Sequence, residues 1–124
     1  MSLILIIEDN EKNLKLVRDV LNVKGYATIE ATTAEEGIPL ARERAPDLVL
    51  MDIQLPGMNG IDALRALRAD PATAAIPVIA VTASVMQQDR NLITDAGFDG
   101  YVGKPINLKE FLDAVRTMLE SRGG

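Results

Sequence analysis

Five polar residues of this sequence lie at the ends of short apolar runs. The clearest is Asp52, which follows the four strand-forming residues 48–51 and precedes a turn containing Pro56 and Gly57. In open α/β sheets, the carboxyl ends of the strands form the edge where ligands bind and chemistry takes place. The candidates for a shared site are therefore Glu8, Asp9, Asp52, Thr82 and Lys104.

The three acids predict a metal site if they lie close together. Neighbouring carboxylates repel one another by roughly a few kcal/mol per pair, and they stay ionised only when a cation sits among them. The chain has no histidine and no cysteine, so any metal must be held by oxygen ligands. Mg²⁺ is the natural occupant of such a site, and Mn²⁺ and Ca²⁺ are the alternatives.

Thr82 and Lys104 add donors that suit phosphate chemistry. A metal ion, an ammonium and a hydroxyl together match the three equatorial oxygens of a transferring phosphoryl group. Asp52 is the candidate nucleophile, and its product would be an aspartyl phosphate. If the phosphoryl group comes from a phosphohistidine, that histidine belongs to a partner, because this chain has none.

The composition predicts one globular domain over residues 1–124 and excludes several functions. The formal net charge of −5 gives no basic footprint for nucleic acid or an anionic membrane. No run approaches 18 apolar residues and no signal segment opens the chain, so we expect a cytoplasmic protein without a membrane span. The lack of histidine and cysteine excludes the usual zinc sites and the Ser–His and Cys–His nucleophile pairs.

A short apolar run followed by an amphipathic stretch recurs along the chain. These runs predict strands at 3–7, 27–31, 48–51, 78–81 and 101–102. Helices are predicted over 11–24, from an N-cap at Thr33 to about Arg44, around the stripe of Ile61, Leu64 and Leu67, over 86–96, and from an N-cap at Asn107 to near Glu120. The apolar residues of the segment 86–96 do not form a clear stripe at helical spacing, so we expect this helix to have the weakest apolar anchoring of the predicted helices.

Five β-then-α units in 124 residues predict an α/β fold with a parallel sheet covered on both faces. Right-handed crossovers leave few topologies, and the small solution is the flavodoxin-like doubly wound (βα)5 fold with strand order 2-1-3-4-5. In that order strands one, three and four are adjacent and strand five lies beyond them. The five polar residues would then converge on one crevice.

Each of these residues, taken alone, is more often structural. An acidic pair after a strand commonly belongs to a solvated loop, and a threonine at a strand end usually serves packing. All of them at successive strand ends favour a site instead. Gly97, Gly100 and Gly103 do not form a phosphate-binding loop, because their spacing is wrong and Pro105 replaces the required hydroxyl residue. No G-x-G-x-x-G follows the first strand, which argues against a dinucleotide site.

Segments 7–10, 51–60, 81–83 and 103–105 closely resemble the receiver domain of two-component response regulators, and the resemblance covers essentially the whole chain. It implies a phospho-accepting regulator of a two-component or phosphorelay system rather than a turnover enzyme. The phosphoryl donor would be a sensor histidine kinase or a histidine phosphotransfer protein, and the output a downstream protein target. The sequence is similar to single-domain regulators of the DivK type.

The resemblance implies a role for each acid. Asp52 would be the phospho-acceptor. Asp9 and Asp52 would bind Mg²⁺ directly, with the backbone carbonyl of Gln54 as a third ligand and Glu8 acting through water. Glu8 is a mild departure from the family, because many receivers have aspartate there.

The resemblance also implies the parts of a switch. Thr82 and Lys104 would bind the phosphoryl oxygens, and the Lys104–Pro105 peptide bond is expected to be cis. Tyr101 matches the aromatic residue that turns inward when Thr82 moves toward the phosphate. The helix over 86–96 is the element expected to move, which would change the protein-binding surface that it forms with strand five and the last helix.

Only four residues follow the predicted last helix, so no output domain is expected. Three alternatives stay open. The chain could be a receiver domain excised from a hybrid histidine kinase, or a receiver-like scaffold that is not phosphorylated. It could also be a haloacid-dehalogenase-type phosphohydrolase, but that family needs a second aspartate two positions after the nucleophile, where this sequence has Gln54.

Overall fold

The computed structural model describes residues 2–53, 55, 57–82, 91, 93 and 95–123, with side chains described up to residue 120. This part of the chain forms one parallel sheet from β1 (Leu3–Ile7), β2 (Ala27–Ala31), β3 (Leu48–Asp52), β4 (Val78–Thr82) and β5 (Gly100–Gly103). The strand order is β2-β1-β3-β4-β5, which confirms the predicted flavodoxin-like topology.

The helices with defined bounds are α1 (Glu11–Val23), α2 (Ala34–Arg44), α3 (Gly60–Ala69) and α4 (Leu108–Gly123). Most of the helix predicted over 86–96 lies outside the described residues; those described in this segment, Asn91, Ile93, Asp95 and Ala96, are helical. The last helix runs to Gly123 rather than ending near Glu120, because no glycine or proline interrupts it before that point.

β3 and β4 each extend one residue further than the apolar runs predicted. Asp52 and Thr82 are the last residues of their strands, because Asp52 pairs with Val81 and Thr82 pairs with Gly103. Both side chains are buried. The two polar groups are therefore held by the sheet itself rather than by the loops that follow it.

The core has two halves, one on each face of the sheet. Alternate strand residues point to opposite faces, so Leu5 and Val49 belong to one half and Ile4 and Leu48 to the other. The first half packs against α2 and α3, and the second against α1 and α4. Burial on both faces is the physical reason why the central strands are uninterrupted apolar runs.

Side-chain caps fix where the helices begin. Asn10 accepts hydrogen bonds from the backbone N–H groups of the first turn of α1, and Asn59 and Asn107 do the same for α3 and α4. Thr33 caps α2 by accepting from the Glu36 N–H at 3.2 Å, as the sequence predicted. These caps start a helix soon after the carboxyl ends of β1, β2, β3 and β5, so the connections at that edge are short.

Among the residues that the structure describes, no helix combines the length and apolar character needed to cross a bilayer.

Candidate functional site

The register of the sheet sets Glu8 beside Asp52. Ile7 pairs with Met51, so the residues that follow them, Glu8 and Asp52, lie at the same level on the same face. The Glu8 N–H donates to the carbonyl of Ala31 at 3.0 Å, which fixes the backbone of Glu8 to the neighbouring strand. Two carboxylates therefore meet at the carboxyl edge of the sheet.

Lys104 closes the same edge from the other side. Its backbone N–H donates to the carbonyl of Thr82 at 2.8 Å, directly beyond the pairing of Thr82 with Gly103. Its Nζ lies 3.0 Å from Oε1 of Glu8 and 3.0 Å from Oδ2 of Asp52. The single ammonium thus contacts both carboxylates at once.

This ion-pair cluster is shielded from solvent and is not electrically balanced. The carboxylate side chains are each 6% exposed and the lysine side chain 19%. Oε2 of Glu8 is buried and has no hydrogen-bond partner among the described residues. One positive charge facing two carboxylates leaves room for a proton or for a further cation.

Burial, together with the contact with Asp52, raises the pKa of Glu8 from 4.5 to about 7, while Lys104 opposes the shift. For Lys104, burial alone would lower the pKa, but the contacts with the two carboxylates outweigh it and the pKa is raised. The burial has a visible source, because Glu8 and Asp52 share a narrow crevice with apolar side chains that include Ile6, Val17, Leu50 and Ile106.

The acids form a candidate metal site. Glu8, Asp9 and Asp52 each offer a carboxylate oxygen, and these oxygens lie within 4.8 Å of one another. Asp9 is exposed, so the cluster opens to solvent on its side. An all-oxygen ligand set with one open face suits a hard divalent cation that keeps several of its waters. Because Oε1 of Glu8 faces Lys104, the unpartnered Oε2 is the oxygen of Glu8 that could accept from the water of such an ion or contact the ion itself.

The structure therefore brings Glu8, Asp9, Asp52 and Lys104 together, and it places Thr82 at the end of the adjacent strand β4. The Lys104–Pro105 peptide bond is cis. Tyr101 lies on β5 and is 40% exposed. The backbone carbonyl of Gln54, expected to be a metal ligand, lies outside the described residues.

The sequence did not lead us to predict a role for Gly60, which helps to position Asp52. Gly60 begins α3, and a Cβ atom on it would lie 2.8 Å from the carbonyl oxygen of Asp52 and 2.9 Å from the Cα of Ile53. The Gly60 N–H also donates to the carbonyl of Ile53 at 3.0 Å. Only glycine permits this approach, so Gly60 helps to hold the backbone of Asp52. A glycine directly after the N-cap Asn59 was the available signal.

Comparisons with known proteins agree on one family. The model of the response regulator receiver domain matches residues 4–116. The polar-differentiation response regulator DivK of Brucella ovis is 43% identical over 116 residues, which are 94% of each chain. The receiver domain of a sensor histidine kinase from Pseudomonas aeruginosa PAO1 superposes with a TM-score of 0.89 and 29% identity, covering 96% of this chain and 98% of that one; its structure holds a magnesium ion in the active-site cleft. A putative response regulator from Chloroflexus aurantiacus gives a TM-score of 0.91 at 26% identity, over 96% and 98% of the two chains.

The chain belongs to the response regulator receiver domain family. It is a DivK-like receiver of two-component signalling. This result confirms the prediction made from the sequence motifs and supports it over the phosphohydrolase alternative. Phosphorylation and magnesium are inherent to this family, and the described residues of this chain include an acidic cluster at Glu8, Asp9 and Asp52 that could hold a metal ion.

Proposed function

We propose that Asp52 accepts a phosphoryl group from a phosphohistidine on a partner protein, either a sensor histidine kinase or a histidine phosphotransfer protein. The observation that carries this proposal is the position of Asp52. Its carboxylate is buried at the end of β3, with Oδ2 3.0 Å from the ammonium of Lys104 and with Glu8 and Asp9 beside it. A carboxylate held in this way is positioned for attack and already has a cationic donor within reach.

The transfer exchanges one bond to phosphorus for another. A carboxylate oxygen of Asp52 forms the new P–O bond while the P–N bond to the partner's imidazole breaks, and the electron pair of that bond stays on the ring nitrogen. Lys104 can pass its hydrogen bond from the carboxylate to a phosphoryl oxygen. Thr82 supplies a hydroxyl donor from the end of the adjacent strand.

The residues present fit a divalent cation, and Mg²⁺ is the ion we propose. Asp9 and Asp52 would bind it directly, the backbone carbonyl of Gln54 would be a third ligand, and Glu8 would act through water. When bound, the ion supplies positive charge to the acidic cluster and to the oxygens of the phosphoryl group. Lys104 and the ion together would balance the carboxylates that Lys104 alone leaves in excess.

The output of the reaction would be a changed protein-binding surface. A dianionic phosphoryl group on Asp52 attracts Thr82 and Lys104, which shifts the segments that follow β4 and β5. Tyr101, 40% exposed on β5, would report this change at the surface shared with α4 and with the helix predicted over 86–96. A downstream protein would recognise that surface.

The test is phosphorylation by acetyl phosphate with Mg²⁺, followed by intact-mass spectrometry. Wild-type protein should gain one phosphoryl group that hydroxylamine removes, and the gain should disappear in EDTA. Asp52→Asn should gain none, whereas Asp62→Asn, which removes an exposed carboxylate on α3, should behave as wild type. Equal labelling of wild type and Asp52→Asn would overturn the assignment, and repeated turnover of a phosphate ester would favour a hydrolase.

A further inference from the structure

A second concave site lies away from the acidic cluster. It is a cavity of about 420 Å³ between the chain that follows α1 and one face of α4. Residues 109, 112, 113 and 116 follow the i, i+3, i+4, i+7 spacing of a single helix face, so this wall is about 10 Å long. We call this cavity the α1–α4 groove, and its lining residues are Lys24, Tyr26, Lys109, Leu112, Asp113 and Arg116.

The α1–α4 groove concentrates positive charge on a protein whose formal net charge is −5. Three of its residues are cationic and one is acidic. Arg116 donates to Oδ1 of Asp113 at 3.3 Å, and both side chains are more than half exposed, so this pair is weak. The described part of the chain offers neither Lys24 nor Lys109 an ion-pair partner.

Lys109 adds an exposed positive charge to the groove at the start of α4. It lies in the first turn of α4, directly after Leu108 and the N-cap Asn107. The helix dipole disfavours a cation at this end by about 0.3–1 kcal/mol and favours an anion. Glu110 supplies an acid to this turn and Asn107 caps it, so Lys109 contributes to the groove as an exposed cation rather than through the helix terminus.

The apolar part of the lining limits the class of ligand. Tyr26 is partly buried and offers an aromatic ring, and Leu112 is partly buried beside it. Stacking of a flat heterocycle on such a ring contributes about 1–3 kcal/mol per base to the free energy of binding. The volume falls at the lower end of the range for small-molecule sites, which is about 300–1,000 Å³. These dimensions fit a ligand whose ring and anionic group are separated by about the length of one or two helix turns.

We propose that the α1–α4 groove binds a small organic phosphate of the nucleotide class, with the phosphate at Lys24 and Lys109 and the ring at Tyr26. Arg116 extends the positive wall toward a second anionic group. None of these residues belongs to the acidic cluster around Asp52, so the proposal is independent of phosphorylation.

The test is an amide-detected NMR titration of the full chain in EDTA with three probes: inorganic phosphate, adenosine and AMP. AMP should give saturable shifts centred on the backbone amides of Lys24, Tyr26 and Lys109, and it should bind at least tenfold more tightly than either fragment. The affinity should fall when the salt concentration rises, because the lysines are exposed. Shifts centred on Lys104 would overturn the proposal. It would also be overturned if AMP gave no shifts at concentrations up to 10-fold above the Kd values measured for the fragments.

Matched variants separate the groove from general charge effects. Lys24→Gln/Lys109→Gln should weaken AMP binding at least tenfold, whereas Arg44→Gln/Arg65→Gln, which removes the same charge from α2 and α3, should change it less than twofold. Tyr26→Leu should abolish the preference for AMP over phosphate. Equal binding by the two double variants, or equal affinities for AMP and phosphate in wild type, would refute the nucleotide site. Shifts produced by an acidic peptide but not by AMP would refute it in favour of a protein-docking surface.

Discussion

Removal of divalent cations should make the stability of the fold fall as the pH rises through the pKa of Glu8. Burial, with Asp52 adding to its effect, holds this pKa at about 7 in the folded protein, against 4.5 for the ordinary glutamate. Between these values the folded state keeps a proton that the unfolded chain has lost. The stabilisation from this proton is therefore fully present below pH 4.5 and is lost as the pH rises through about 7.

The size of the effect follows from the two pKa values. Each pKa unit corresponds to about 1.4 kcal/mol, so the difference for Glu8 amounts to at most about 3 kcal/mol. That is a large share of the roughly 5–15 kcal/mol that stabilises a typical domain. Mg²⁺ needs the ionised acid, so the stabilisation produced by saturating Mg²⁺ should be greater at pH 8 than at pH 5.

The assay is urea unfolding followed by far-UV circular dichroism at several values between pH 5 and pH 8, with EDTA throughout. Glu8→Gln is the matched reference, because it keeps the size of the side chain and removes its titration. The free energy of unfolding of wild type minus that of Glu8→Gln should decline across this range by up to about 3 kcal/mol. A difference that stays constant or rises with pH would refute the assigned protonation of Glu8.

Three further substitutions test the surrounding structure. Gly60→Ala should lower the free energy of unfolding by about 1–3 kcal/mol in urea, because the new Cβ meets the carbonyl oxygen of Asp52 at 2.8 Å; an unchanged value would contradict the close approach. Arg68→Gln should cost about 2 kcal/mol by the same measurement, because its guanidinium ties α3 to the segments before β4 and β5; the exposed control Arg65→Gln should cost under about 0.5 kcal/mol, and equal costs would contradict this role. Lys104→Gln should slow phosphorylation by acetyl phosphate by roughly 100-fold in a mass-spectrometric time course, and a wild-type rate would exclude its role as a phosphoryl-oxygen donor.

The topology was predictable because a buried parallel sheet leaves a strong pattern. Uninterrupted apolar runs such as 3–7 and 48–51 become strands covered on both faces, and right-handed crossovers then leave few strand orders. Helix starts were also predictable, because Thr33 and Asn107 carry side chains that cap them.

The fine geometry of the site was not predictable to the same degree. The placement of Asp52 at a strand end follows from the pattern, but the simultaneous contact of Lys104 with Glu8 and Asp52 depends on register and on side-chain reach. The close approach of Gly60 likewise depends on how α3 packs back on β3. The α1–α4 groove joins residues 24–26 to residues 109–116, and no local pattern relates segments so far apart in the chain.

Identification of the phosphorylated residue tests the central claim most directly. The protein is labelled with acetyl phosphate and Mg²⁺ and then treated with borohydride, which reduces an aspartyl phosphate to homoserine, and peptide mass spectrometry locates the change. The account predicts homoserine at position 52 and at no other aspartate. Reduction at Asp9 or at a surface aspartate, with Asp52 unmodified in protein that has gained a phosphoryl group, would contradict it.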